Sequence, residues 1–230
     1  MSVILVGNGE SLLGSNMGEL IDSYDTVVRF DGLNIEGYEK DVGTKTNILV
    51  LDSYNFLRYM KEEFDDIRDE MYDLDEIWIT DNEESYNLIA QSFNSDFKNL
   101  KYCVDEIKKY KESLGYYSYI NTNRVGCNYI SPEFFSILNY INKGVNIDVI
   151  GFDFLKSDIN NLKHKVIYGE NKILEGLNSG VNNGYYFEPF QKFKKYYSDL
   201  YWGVEGAFSY NLEIKTMRLL EKLKLFNRSD

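Results

Sequence analysis

The run Val3-Ile4-Leu5-Val6 breaks directly into Gly7-Asn8-Gly9, and this junction narrows the fold more than any other feature. Four consecutive aliphatic residues predict a strand buried on both faces, as in a parallel sheet. The glycines predict a tight turn at its end. Similar apolar, β-branched runs recur at 26–30, 46–51, 76–80 and 147–150, with a weaker one at 100–104. Between them the spacing predicts helices over about 53–71, 82–93 and 125–142, the last of these interrupted or started near Pro132, and a final one over 209–223. Leu212, Met217, Leu219, Leu220 and Leu223 line the apolar side of that last helix. A short helix through Ile21 would be capped by Ser15 or Asn16. Strands alternating with helices imply an α/β fold: one mostly parallel twisted sheet with helices on both faces.

Residues 155–206 show no clear period and are rich in Asn, Gly and Tyr. A structureless stretch of roughly fifty residues is too long for an ordinary connection. Its aromatics, among them Tyr168, Tyr185, Tyr186 and Trp202, argue against disorder. The expectation is a lid or acceptor-binding insertion within a single domain spanning 1–230.

Charge excludes some classes of function. Lys and Arg number 25 against 37 Asp and Glu, a formal net charge of −12. That balance disfavours a sequence-independent grip on a phosphate backbone. Nine acids and one base fall between Glu62 and Glu76, the composition of a solvated helix face. The last 78 residues hold 12 bases against 10 acids, the better region for an anionic ligand. Two cysteines and one histidine, His164, are too few for a Cys/His zinc site. Asp73-Leu74-Asp75 precedes a strand instead of ending one, so a metal role is not expected there. No run approaches 18 apolar residues, and no charged-then-apolar leader precedes the first strand. A cytoplasmic protein with no membrane span, no bound metal and no cofactor is expected.

Two constellations carry candidate chemistry. In an open α/β sheet, ligands sit beyond the carboxyl ends of the strands, beside the first strand–loop–helix turn. Gly7, Asn8, Gly9 and Ser11 occupy that turn. It matches neither a GxGxxG fingerprint nor a P-loop, so a tight turn without a ligand stays an open alternative. Arg29-Phe30-Asp31 ends the second strand next to it, followed by Asp41-Val42-Gly43-Thr44-Lys45-Thr46. Arg29 has a structural alternative too, an ion pair with Asp22, Asp25 or Asp41.

Together these pieces resemble the long sialyl motif of the sialyltransferases. That motif begins Val-Gly-Asn-Ser/Gly, continues Ile-Asp-x-x-Asp-x-Val-x-Arg-x-Asn, and ends Asp-Val-Gly-x-Lys/Arg-Thr. Here the pieces stand as Val6-Gly7-Asn8-Gly9, then Ile21 to Asp31, then Asp41 to Thr46, in order and spacing. A worn short sialyl motif follows: Val125-Gly126 where a Ser/Thr-Gly pair is usual, then a helix, then Gly151-Phe152-Asp153-Phe154.

The resemblance implies a sialyltransferase-like GT-A variant fold. It also implies a metal-independent glycosyltransferase taking a sugar from a CMP-activated donor to an acceptor hydroxyl. Donor contacts would come from Gly7, Asn8, Gly9, Ser11, Arg29, Asp31, Val125 and Gly126, with lid hydroxyls from Tyr168 and Tyr185. Two departures qualify the match. Asp31 stands where the family has Asn, and an ionised carboxylate only accepts hydrogen bonds. Phe208 stands where the family has its general-base His, five residues before Glu213, and a phenyl ring accepts no proton. Three explanations remain open: the base has moved to His164, a His-to-Phe change was introduced at 208, or a carboxylate such as Glu205 or Glu213 serves. The acceptor would be a glycan or, for a phage-type enzyme with another donor, a hydroxylated DNA base. A catalytically inactive nucleotide- or glycan-binding relative is the alternative from another class.

Overall fold

A computed structural model describes residues 1–33, 35–60, 65–80, 97–113, 131–152 and 220–228, with 87, 89, 91–93, 217 and 218. Among these residues the centre is a sheet of seven parallel strands: β1 (Val3–Val6), β2 (Thr26–Phe30), β3 (Ile48–Leu51), β4 (Glu76–Ile79), β5 (Leu100–Tyr102), β6 (Ile147–Ile150) and β7 (Asn227–Arg228). The spatial order is β5-β4-β3-β2-β1-β6-β7. The chain therefore walks outward from β1 to β5, then returns to add β6 on the other side of β1. The β1/β6 boundary is a topological switch point, where an open parallel sheet leaves a crevice at its carboxyl edge.

Strand alternation sorts the core into two layers. Val3, Leu5, Val28, Phe30, Ile48, Val50, Trp78, Ile147 and Val149 face one side. There they pack against α5 (Val104–Ser113) and α6 (Pro132–Asn142), with Met217 joining. Ile4, Val6, Val27 and Ile150 face the other side against Leu12, Ile21 and Val42. Leu49, Leu51, Ile77 and Ile79 extend that layer against Phe56, Tyr59 and Met71. This second face carries α1 (Gly18–Asp22), α2 (Glu39–Val42), α3 (Ser53–Tyr59) and α4 (Asp65–Tyr72), and the helical residues Ile89 and Phe93 pack there too. A parallel sheet covered on both faces is what the uninterrupted apolar strands require.

Several element boundaries differ from expectation for local reasons. The short helix starts at Gly18 with Met17 at its N-cap and no side-chain cap. The stretch 53–71 holds two described helices, α3 and α4, not one. α4 exposes Asp65, Asp66, Asp69 and Glu70 and buries Met71, as a solvated acidic face should. α6, by contrast, opens at Pro132 as one of the two sequence readings had it: Ser131 accepts from the Phe134 amide and the proline occupies the first turn. Residues 125–130 lie outside the described residues, as does 153–216, which includes the expected lid. Neither α5 nor β7 was expected from the sequence pattern. Among the described residues no helix is long and apolar enough to cross a membrane.

Candidate active site at the β1/β6 switch point

Where β1 ends, backbone approaches backbone closely. The Gly7 amide donates to the Ile150 carbonyl at 2.8 Å, and the Gly9 amide to the Gly151 carbonyl at 3.0 Å. A Cβ on Gly7 would lie 2.5 Å from the Gly151 carbonyl oxygen and 2.9 Å from the Phe152 ring. Gly151 answers with φ of +71°, and a Cβ there would meet Leu12 at 2.6 Å. Both glycines are thus required by packing at the switch point. The loop between them and α1 makes one 3-10 turn, Glu10–Leu12, which leaves Ser11 exposed and Leu12 buried.

Asn8 spans to the next strand. Its half-buried amide nitrogen donates to the Phe30 carbonyl, the last of β2, at 3.1 Å. The following residue, Asp31, has φ of +59° and lies beside the end of β3, its amide donating to the Val50 carbonyl at 3.0 Å. α3 holds it from below. The Asn55 amide donates to Asp31 Oδ1 at 3.3 Å, and the Tyr59 hydroxyl to the Asp31 carbonyl at 2.6 Å. Asp52, the N-cap of α3, accepts the Asn55 backbone amide at 2.7 Å. Asn55 therefore joins two carboxyl groups, one through each of its nitrogens. Burial, with the Glu133 and Asp52 carboxylates close by, pushes the Asp31 carboxyl well above the usual carboxylate range. Glu133, on the first turn of α6, is likewise raised, by burial and then by Asp52.

Arg29 is turned away from this edge. Strand alternation turns it to the face opposite Val28 and Phe30, where it is 1% exposed. Its Nη2 donates to the Val42 carbonyl at 2.6 Å, and its Nε to Thr46 Oγ1 at 3.0 Å and the Lys45 carbonyl at 3.2 Å. The guanidinium thus anchors the 42–46 loop instead of projecting into the crevice. Asp22 binds the same loop through the Thr44 and Lys45 amides, both at 2.9 Å, and the Thr44 hydroxyl at 3.0 Å. Burial works to raise its carboxyl, but these hydrogen bonds outweigh it and hold it below the usual range. Asp25 instead accepts the Ser2 amide at 2.6 Å. Among the described residues, then, much of the Asp-Val-Gly-x-Lys-Thr segment has an architectural use.

The structure brings Gly7, Asn8, Gly9 and Asp31 to one edge and adds Asp52, Asn55, Tyr59 and Glu133, which sequence reading missed. The Asp52-Ser53 pair after a strand was a legible N-cap signal; nothing local marked Glu133. Val125, Gly126, His164, Tyr168, Tyr185, Glu205, Phe208 and Glu213 lie outside the described residues. Asp73 and Asp75 sit ahead of β4, at the opposite end of the sheet, where Asp75 accepts the Asn47 amide at 2.8 Å. No group of three metal-ligating side chains occurs among the described residues.

Known proteins resemble this chain in sequence over part of its length and in fold. A segment of 57 residues is 49% identical to alpha-N-acetylgalactosaminide alpha-2,6-sialyltransferase 1 of Gallus gallus, covering 25% of this chain and 10% of that protein. A longer segment of 111 residues is 34% identical to the Homo sapiens CMP-N-acetylneuraminate-beta-1,4-galactoside alpha-2,3-sialyltransferase, covering 48% of this chain and 24% of that one. The matched segments thus span well under half the length of these relatives. In fold, a mammalian sialyltransferase crystal structure superimposes with a TM-score of 0.54 at 16% identity, over 99% of this chain and 68% of the other. A variant of the Cst-II sialyltransferase in complex with CMP gives 0.52 at 20% identity, over 96% and 77%. The family model for glycosyltransferase family 29 (sialyltransferase) matches residues 2–143, which include β1 through α6 and hence the Gly7 loop, Asp31 and Glu133. The chain belongs to that family, the family 29 sialyltransferases.

Proposed function

We propose that the chain transfers a sugar from a CMP-activated donor to an acceptor hydroxyl, without a metal ion. The carrying observation is the Gly7-Asn8-Gly9 loop at the β1/β6 switch point, within the stretch matched by the family model. The name of one relative includes CMP-N-acetylneuraminate, and one fold neighbour was solved with CMP. Both support a cytidine nucleotide as donor and a sialic acid as the transferred sugar.

Transfer is a displacement at the anomeric carbon. The acceptor oxygen forms the new C–O bond, the old C–O bond to phosphate breaks, and CMP leaves with its electron pair. A base removes the acceptor's proton. Phe208 cannot serve as that base, so the proposal gives the task to Glu205 or Glu213. Asn8 and the amides of its loop meet the nucleotide, and hydroxyls of Tyr168 and Tyr185 support the leaving phosphate. A glycan is the proposed acceptor, because a charge of −12 opposes DNA. The proposed location is the cytoplasm.

Thermal unfolding with nucleotides tests the donor assignment. Saturation at a hundredfold excess over Kd stabilises a fold by about 2.7 kcal/mol. CMP or CDP should stabilise more than UMP, GDP or NAD, with no added divalent metal. An equal response to all five, or strict dependence on Mg²⁺ or Mn²⁺, contradicts the reading. Phe208 favours one second reading, a nucleotide-binding relative without turnover. Incubation with CMP-sialic acid separates the two: release of CMP supports the enzyme, binding without release the module.

A further inference from the structure

The loop from Gly7 to Asn16 is held at two points. At its start, Gly9 is bonded to Gly151, and the buried Leu12 side chain packs on that glycine. At its end, the chain turns through two positive-φ residues, Gly14 at +72° and Asn16 at +55°. Both amides there point to one side chain: Gly14 donates to Asp41 Oδ2 at 2.8 Å and Asn16 to Asp41 Oδ1 at 2.9 Å. The Ser15 amide then returns to the Leu12 carbonyl at 3.1 Å, and Leu12 to the Gly9 carbonyl at 3.3 Å. These hydrogen bonds, joined through the backbone of residues 14–16, thus connect Asp41 to Gly9, the residue beside Asn8.

Asp41 is itself held. It lies in α2, whose Val42 carbonyl accepts from the buried Arg29 guanidinium. α2 also sits backbone-to-backbone on α1, since a Cβ on Gly18 would fall 2.2 Å from the Glu39 carbonyl oxygen. A rigid base and a two-amide grip make this carboxylate a fixed post. The same two hydrogen bonds hold its carboxyl below the usual range, so it stays ionised at neutral pH.

We propose that Asp41 is a positioning residue for the donor, fixing the 14–16 turn so that Asn8 and Gly9 meet the nucleotide in one conformation. Arg29 acts through Asp41, which gives this buried cation of β2 a functional use without contact at the crevice. The inference rests on the CMP-donor reading above. Nucleotide affinity follows from it because a mobile loop must be ordered at the moment of binding, at a cost the preformed loop avoids.

CMP titration and amide hydrogen exchange on the full chain test it, using Asp41→Ala, Asp41→Asn and the neighbouring Lys40→Ala. Asp41→Ala should weaken CMP binding by about tenfold, the effect of losing hydrogen bonds to a charged group. Asp41→Asn, which keeps one acceptor oxygen, should fall between it and the unaltered protein; Lys40→Ala should bind normally. Exchange should quicken at Gly14 and Asn16 while amides of β1, β2 and β3 keep their protection. In transfer assays the donor KM should rise with kcat within twofold. CMP affinity for Asp41→Ala within twofold of Lys40→Ala would overturn the inference, as would loss of protection throughout the sheet. Absence of CMP binding by the unaltered protein would instead refute the functional reading itself.

Discussion

Replacing Gly7 by alanine tests the close approach on which the site is built. The added Cβ would stand 2.5 Å from the Gly151 carbonyl oxygen, inside the 3.0 Å that real Cβ atoms respect, so about 0.5 Å of separation must be found. The obstructing atom is backbone, and β1 is laddered to β6 from Val3↔Ile147 to Val6↔Ile150. The strands cannot part locally without stretching Gly7 N–H···O=C Ile150 and Gly9 N–H···O=C Gly151. Overpacking costs about 1–3 kcal/mol. Losing one or two neutral hydrogen bonds adds about 1 kcal/mol each. The expected destabilisation is therefore about 2–5 kcal/mol, read from urea midpoints at constant slope. Gly37→Ala is the matched control: its φ is +84° but a Cβ there meets nothing within 4 Å. Only backbone strain applies there, about 1–2 kcal/mol. A Gly7→Ala variant within 1 kcal/mol of the parent, or no worse than Gly37→Ala, would refute the steric argument.

Two further predictions concern the crevice. Asp31 has a folded pKa raised by burial and by Glu133 and Asp52, so the folded state holds its proton more tightly than the unfolded chain does. Its stabilising contribution is full below the unfolded-state pKa of about 3.9 and is lost as pH rises through the folded value. Asp31→Asn should accordingly gain stability relative to the parent as pH goes from about 4 to about 8. Urea midpoints at both ends of that range measure this, and a pH-independent difference would contradict it. Asn8→Ala removes one half-buried bond to the Phe30 carbonyl and should cost about 1 kcal/mol in stability. By calorimetry it should weaken CMP binding by about 1–3 kcal/mol, and unchanged affinity would remove Asn8 from the nucleotide site.

Strand order along the chain and the burial of both strand faces were legible in the sequence, because both follow from short-range apolar periodicity. Val3-Ile4-Leu5-Val6 has no polar side to offer water, so helices must cover both faces of its sheet. The Gly7-Asn8-Gly9 turn was legible for the same local reason. α5 was not, since Val104-Asp105-Glu106-Ile107-Lys108-Lys109 is largely polar and only Ile107 is deeply buried. β7 was not either: Asn227 and Arg228 have no strand-like pattern and pair only because β6 presents an open edge. The tertiary structure alone decided the company each motif residue keeps. Arg29 belongs to a motif that reads as a binding element, yet pleat geometry turns it away from the crevice and onto the carbonyls of the 42–46 loop. Gly151 meets Gly7 from 144 residues away in sequence because β6 is inserted beside β1. Glu133 reaches the neighbourhood of Asp31 because α6 packs across the sheet with its N-terminus toward the carboxyl edge. Such pairings depend on long-range topology, and local periodicity holds no record of them.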